Sequence, residues 1–89
     1  MREPYLEVTF RHGSILAAYY YLPRHSNSRS IRCERDESGL VIDFDEQDRP
    51  IGIELTAPRK VTLETFNGLL ERLGQAPIEA RDLAPLEAA

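Results

Sequence analysis

The sequence predicts an α+β domain: an antiparallel meander sheet of about four to five strands, followed by one packed helix and a short C-terminal tail. Three observations carry this. Side-chain type alternates with a period of two through the first two-thirds of the chain, as in strands with one face in water. Apolar residues then recur at helical spacing from Leu63 to Leu73, and turn-forming Gly, Pro, Asn and Asp residues punctuate the segments.

From Tyr5 to Phe10, Leu6, Val8 and Phe10 share one face, and Glu7 and Thr9 the other. A turn follows at His12-Gly13-Ser14. Ile15 to Leu22 is apolar on both faces, with Ala17, Tyr19 and Tyr21 on one side and Leu16, Ala18, Tyr20 and Leu22 on the other. Such a strand is central or covered twice. Pro23 ends it, and the stretch to Arg29 has the polar composition of a loop. Ser30 to Glu37 resumes alternation, with Ile31 and Cys33 on an apolar face and Arg32, Glu34 and Asp36 on the other. Ser38-Gly39 supplies a tight turn. Leu40, Ile42 and Phe44 then face Ile51, Ile53 and Leu55 across a turn at Glu46 to Arg49, while Val41, Asp43, Asp45 and Glu54 point outward. All strands thus fall within 5–57. Thr62 suits an N-cap, Leu63, Phe66, Leu70 and Leu73 form a stripe with Leu69 beside it, and Gly74 and Pro77 end a helix over about 62–74. The tail, 75–89, has Ile78, Leu83 and Leu86 as candidate anchors but is broken by Pro85, so it either drapes on a surface or frays.

A chain of 89 residues has room for one domain, 1–89. Its 42% hydrophobic and 29% charged residues are ordinary globular usage. Fifteen acidic against eleven basic side chains give a charge of −4, which argues against the phosphate attraction of a nucleic-acid binder. The single cysteine, Cys33, forms no intrachain disulfide, and no apolar run approaches the roughly 20 residues of a membrane helix. The start MREPYLEV has no apolar signal region. Cytoplasmic location is the expectation.

The stretch GLVIDFDEQDRPIGIEL, Gly39 to Leu55, resembles the signature hairpin of the bacterial domain of unknown function 2283 family, and AAYYYLP, Ala17 to Pro23, resembles its first long strand. The resemblance covers about half of the chain and implies a small single-domain fold without an established activity. For some members it implies a neutralising role in toxin–antitoxin gene pairs. Two departures stand out: Arg11-His12-Gly13-Ser14 replaces an acidic turn, and Asp48 stands where the hairpin turn often has glycine. Asp tolerates left-handed backbone geometry better than most residues, so the turn is retained.

Several groups invite a chemical reading. Asp43, Asp45, Glu46, Asp48 and Glu54 resemble a calcium loop in spacing, but Asp48 replaces the loop glycine, Pro50 interrupts, and the alternation demands strands; they read as a solvated face and turn. His12, His25 and Cys33 fit no zinc spacing, and Cys33 beside Ile31 reads as a core thiol. No phosphate loop, nucleophile elbow or HExxH pair is present, so no catalytic residue, metal ligand or cofactor site is assigned. Tyr19, Tyr20 and Tyr21 cannot all face one core. They are candidate contact residues, together with Leu69, which widens the helix stripe, and Arg24 and Arg29 in the basic stretch Arg24 to Arg35.

The functional expectation is a non-enzymatic interaction module, a homodimer or a subunit of a small complex with a protein partner, with an antitoxin-like inhibitor as its most concrete form. One alternative is a ligand-binding protein or enzyme with a site near the 23–30 loop, where Arg24, His25 and Asp43 converge. Another is weak nucleic-acid binding through Arg24 to Arg35.

Overall fold

The computed structural model describes residues 3–23 and 29–87. Five strands, β1 (Tyr5–Arg11), β2 (Ser14–Tyr21), β3 (Arg32–Arg35), β4 (Val41–Phe44) and β5 (Pro50–Leu55), precede a short 3₁₀ turn (Pro58–Lys60), helix α1 (Leu63–Arg72) and a 3₁₀ helix (Ala80–Glu87). All neighbouring strands are antiparallel, and the spatial order is β1-β2-β5-β4-β3. The meander therefore has one jump in it: β1-β2 is a hairpin, β3-β4-β5 runs consecutively, and the two join where β5 pairs with β2.

Composition accounts for the jump. In a strictly sequential sheet β3, the most polar strand, would sit at the centre, flanked by β2 and β4. Pairing β2 with β5 instead puts the two most apolar strands side by side in the middle and leaves Arg32-Cys33-Glu34-Arg35 on an edge, where charge suits the open hydrogen-bonding side. The connection after β2 has three strand spacings, about 14 Å, to bridge, a distance within reach of the ten residues of 22–31.

One face of the sheet carries the core. Tyr20 and Ala18 of β2, with Leu22 just beyond it, Ile53 and Leu55 of β5, and Ile42 of β4 pack with Phe66, Leu69 and Leu70 of α1 and with Leu83 and Leu86 of the C-terminal 3₁₀ helix. The Tyr20 ring meets Phe66 edge to face at 5.2 Å, and burial, with the Asp82 charge adding to it, raises the Tyr20 hydroxyl pKa. Each fully buried Leu, Ile or Phe here contributes on the order of 1.5–3 kcal/mol. The tail is part of this core, as its apolar anchors suggest. The Asn67 side chain accepts from the Ile78 N–H (2.8 Å) and donates to the Ile78 carbonyl (3.0 Å), so the chain leaving α1 is held as if by a strand partner.

The helix ends follow their sequence signals within two residues. The Thr62 hydroxyl accepts from the Thr65 N–H at 3.1 Å. At the other end Gly74, with φ of 71°, lets its own N–H reach the Glu71 carbonyl and that of Gln75 the Leu70 carbonyl, the paired bonds of a Schellman stop.

Three hairpin turns set the register. His12 and Gly13 both have positive φ, as a two-residue type I′ turn requires. The other two turns are built alike. Asp36 begins one and Asp45 the other. In each, the Asp carboxylate accepts the N–H two residues on (Ser38, Gln47) and four residues on (Leu40, Arg49), and the residue three on has positive φ. That residue is Gly39 in the first turn and Asp48, at φ of 61°, in the second. Asp48 thus adopts the left-handed geometry expected of it.

Two glycines give opposite predictions. A Cβ on Gly68, in the middle of α1, meets nothing within 4 Å, so Gly68→Ala is expected to stabilise the protein by about 0.5–1 kcal/mol through helix propensity. A Cβ on Gly39 also meets nothing, but φ there is +89°, so Gly39→Ala is expected to cost about 1–2 kcal/mol of backbone strain. Urea midpoints at unchanged slope measure both; equal effects would refute the backbone argument.

Candidate functional site

The second face of the sheet takes no part in the core. Its side chains form two rows across all five strands. In the first, the register aligns Tyr5, Tyr21, Gly52, Asp43 and Cys33; in the second, Glu7, Tyr19, Glu54, Val41 and Arg35. None of these belongs to the apolar cluster, and no described helix contributes to this face.

The tyrosines on it are held in one arrangement. The rings of Tyr5 and Tyr21 stack at 4.5 Å, 14° from parallel, and Tyr19 meets Tyr21 edge on at 4.7 Å. The Tyr21 hydroxyl donates to Glu7 (3.2 Å). The Tyr19 hydroxyl reaches across β5 and donates to Asp43 on β4 at 2.6 Å, a charge-assisted bond. That reach depends on Gly52. The Tyr19 ring lies over it, and a Cβ there would overlap the phenol. Glycine is required at 52 for space rather than for backbone freedom. Gly52→Ala is therefore expected to displace Tyr19, break its bond to Asp43 and cost about 1–3 kcal/mol. Thermal unfolding and the loss of the Tyr19–Tyr21 ring contact in NMR spectra check this; an unchanged ring contact would contradict it.

The residues singled out in the sequence divide sharply. Tyr19 and Tyr21 lie half-buried on the open face. Tyr20 and Leu69 are core residues, 5% and 2% exposed, and present nothing to a partner. The reason is parity for Tyr20, which shares the helix side with Ala18 and Leu22, while Leu69 belongs to the same buried cluster as Phe66 and Leu70 of α1. Arg29 is exposed. Arg24 and His25, and with them a convergence on Asp43 near the 23–30 loop, lie outside the described residues. Arg32 sits over the Phe44 ring at 4.1 Å and pairs with Glu34 and with Asp48 (2.9 Å), so this part of the basic stretch is committed to local acids.

Cys33 is exposed rather than part of the core. Alternation assigned it correctly to the opposite side from Arg32 and Glu34, but β3 lies at the edge with its Cys33 side on the open face. Ile31 beside it is 61% exposed.

The acidic group is dispersed. Asp43 and Glu54 lie on the open face, and Asp45, expected to point outward, is only 3% exposed and closes the second turn. The described residues contain no group of three or more His, Cys, Asp or Glu side chains placed to hold a metal ion. The Arg49 N–H, foremost, and then the Gln47 N–H and the Arg49 charge hold the Asp45 carboxyl below its usual 3.8, against the opposing effect of burial. A depressed folded-state pKa contributes stability that is present above the unfolded value and lost as pH falls through the folded one. The wild-type melting temperature is expected to drop below about pH 4, and Asp45→Asn, which keeps the accepting oxygen but not the charge, to show a shallower drop. Parallel curves would show that ionisation of Asp45 does not matter.

Concavities of 160, 300 and 590 Å³ flank α1 and the segments beside it, and none is lined by a residue of the tyrosine face. No helix among the described residues is long and apolar enough to cross a membrane. No family model, curated protein or solved structure matches the chain.

Proposed function

We propose that the chain is a non-enzymatic interaction module that binds a protein partner through the tyrosine face of its sheet. The observation that carries the reading is the fixed cluster of Tyr5, Tyr21 and Tyr19 on a face that the helix leaves uncovered. Aromatic side chains with polar tips are enriched in protein interfaces, because they bury large area with little conformational entropy to lose. Here stacking and the bonds to Glu7 and Asp43 have already restricted the rings, which lowers the ordering cost of binding. The antitoxin-like form of the reading, and bacterial origin with it, rests on the resemblance carried by Gly39 to Leu55 and Ala17 to Pro23. The reading places the module in the cytoplasm, where a lone exposed thiol such as Cys33 stays reduced.

A tagged pull-down from nuclease-treated native lysate, read by mass spectrometry and light scattering, tests it. Wild-type protein is expected to retain a stoichiometric partner that Tyr5→Ala/Tyr21→Ala loses, with circular dichroism showing the variant folded. The same partner content in both would show that the contact lies elsewhere.

A further inference from the structure

The two edges of the sheet are built differently. β3 has four residues, and Arg32, Glu34 and Arg35 among them are charged, the short, charged form that keeps an edge from pairing with another chain. β1, at the other edge, has seven residues with no proline or lysine. It also runs without a bulge of its own: Thr9 pairs with Ala17 and Phe10 with Ile15, so the extra residue at the irregularity is Leu16 of β2. No described backbone hydrogen bond joins β1 to any element but β2. The C-terminal 3₁₀ helix touches β1 from the core side, where Leu83 and Leu86 join the cluster. β1 therefore keeps an outward row of N–H and C=O groups. Phe10 shares the core side with Leu6 and Val8 by alternation, but the cluster does not reach it, and it is 49% exposed. We propose that β1 pairs antiparallel with β1 of a second copy, joining two five-stranded sheets into one.

The strand's own charges set the register. A two-fold axis normal to the sheet keeps each face continuous, so β1 can pair with its copy only about a residue, never between two. Centred on Thr9, the pairing puts Glu7 opposite the partner's Arg11 and Val8 opposite the partner's Phe10, each twice over by symmetry. Glu7 and Arg11 share a face but stand about 13 Å apart along one extended strand, too far to meet within a copy. Across the axis they are direct neighbours. No ion pair among the described residues engages either of them, and a carboxylate that accepts from the Tyr21 hydroxyl has lone pairs left for a guanidinium. Val8 against Phe10 is the β-branched and aromatic pair favoured across strands, and it covers the exposed ring. Centring on Val8 instead would set Glu7 against Thr9 and Arg11 against Tyr5, losing both charge pairs. An acid and a base placed symmetrically about Thr9 are what a self-complementary edge requires, and they single out a second copy of this chain as the occupant. In the joined sheet both helices lie on one side and both tyrosine faces on the other. The pairing uses none of the tyrosine contacts, so it goes beyond the interaction-module reading and does not depend on it.

Sedimentation equilibrium of the full chain tests the proposal. The wild type is expected to dimerise. Glu7→Arg, which sets base against base, and Arg11→Glu, which sets acid against acid, are each expected to raise the dissociation constant about tenfold. An equimolar mixture of the two variants is expected to recover the wild-type constant, because one then carries two bases and the other two acids at the paired positions. Arg59→Glu, the same reversal at an exposed site outside the sheet, is expected to change nothing, with circular dichroism showing every variant folded. A wild type that stays monomeric up to about 1 mM, a dimer that neither β1 reversal weakens, or a mixture that does not recover would overturn the inference. A monomeric protein that still retains its lysate partner through Tyr5 and Tyr21 would remove the edge pairing and leave the interaction-module reading standing.

Discussion

The arrangement of this protein depends on one strand that is apolar on both sides. A strand such as β2 is stable only with neighbours on both edges and something against at least one face. It takes β1 by a hairpin and β5 from the far end of the sheet segment, and the resulting order exiles the polar β3. Period-two alternation then sends Tyr20 into the core and Tyr19 and Tyr21 to the opposite side. The core face and the tyrosine face are two consequences of the same eight residues.

The turns make that pairing specific. A slip of one residue in β4 or β5 would exchange Ile42 and Ile53 for Asp43 and Glu54 on the core side. Asp36 and Asp45, by accepting two backbone N–H groups each, lock the loops on either side of β4. Part of the acidic character that resembles a metal loop in the sequence is therefore hydrogen-bonding hardware for hairpins, and what remains of it, Asp43 and Glu54, belongs to the open face.

Much of this was legible in the sequence. The fold class, the helix stripe, the two-sided strand and the left-handed Asp48 follow from local rules: periodicity, capping residues and turn chemistry. Long-range choices were not legible. Alternation states which residues share a side but not which side meets the helix, and so Cys33 was assigned to the core. The strand order was hidden because it depends on the competition between β3 and β5 for the open edge of β2. Tyr20 and Leu69 read as candidate contacts for a related reason: neither alternation nor the width of a stripe tells which apolar positions the core takes up. Besides the alternation that sets Tyr19 and Tyr21 together, a further sequence signal of the open face is Gly52, an isolated glycine inside a strand pattern, which marks a close approach by another group.

The central claim is that three consecutive tyrosines on one strand have opposite environments. Hydroxyl-radical footprinting of the free protein, resolved to single residues by tandem mass spectrometry, tests it most directly. The account predicts that Tyr5, Tyr19 and Tyr21 are modified well above Tyr20 and Phe66. Protection of Tyr19 and Tyr21 equal to that of Tyr20, or modification of Tyr20 at their level, would contradict it.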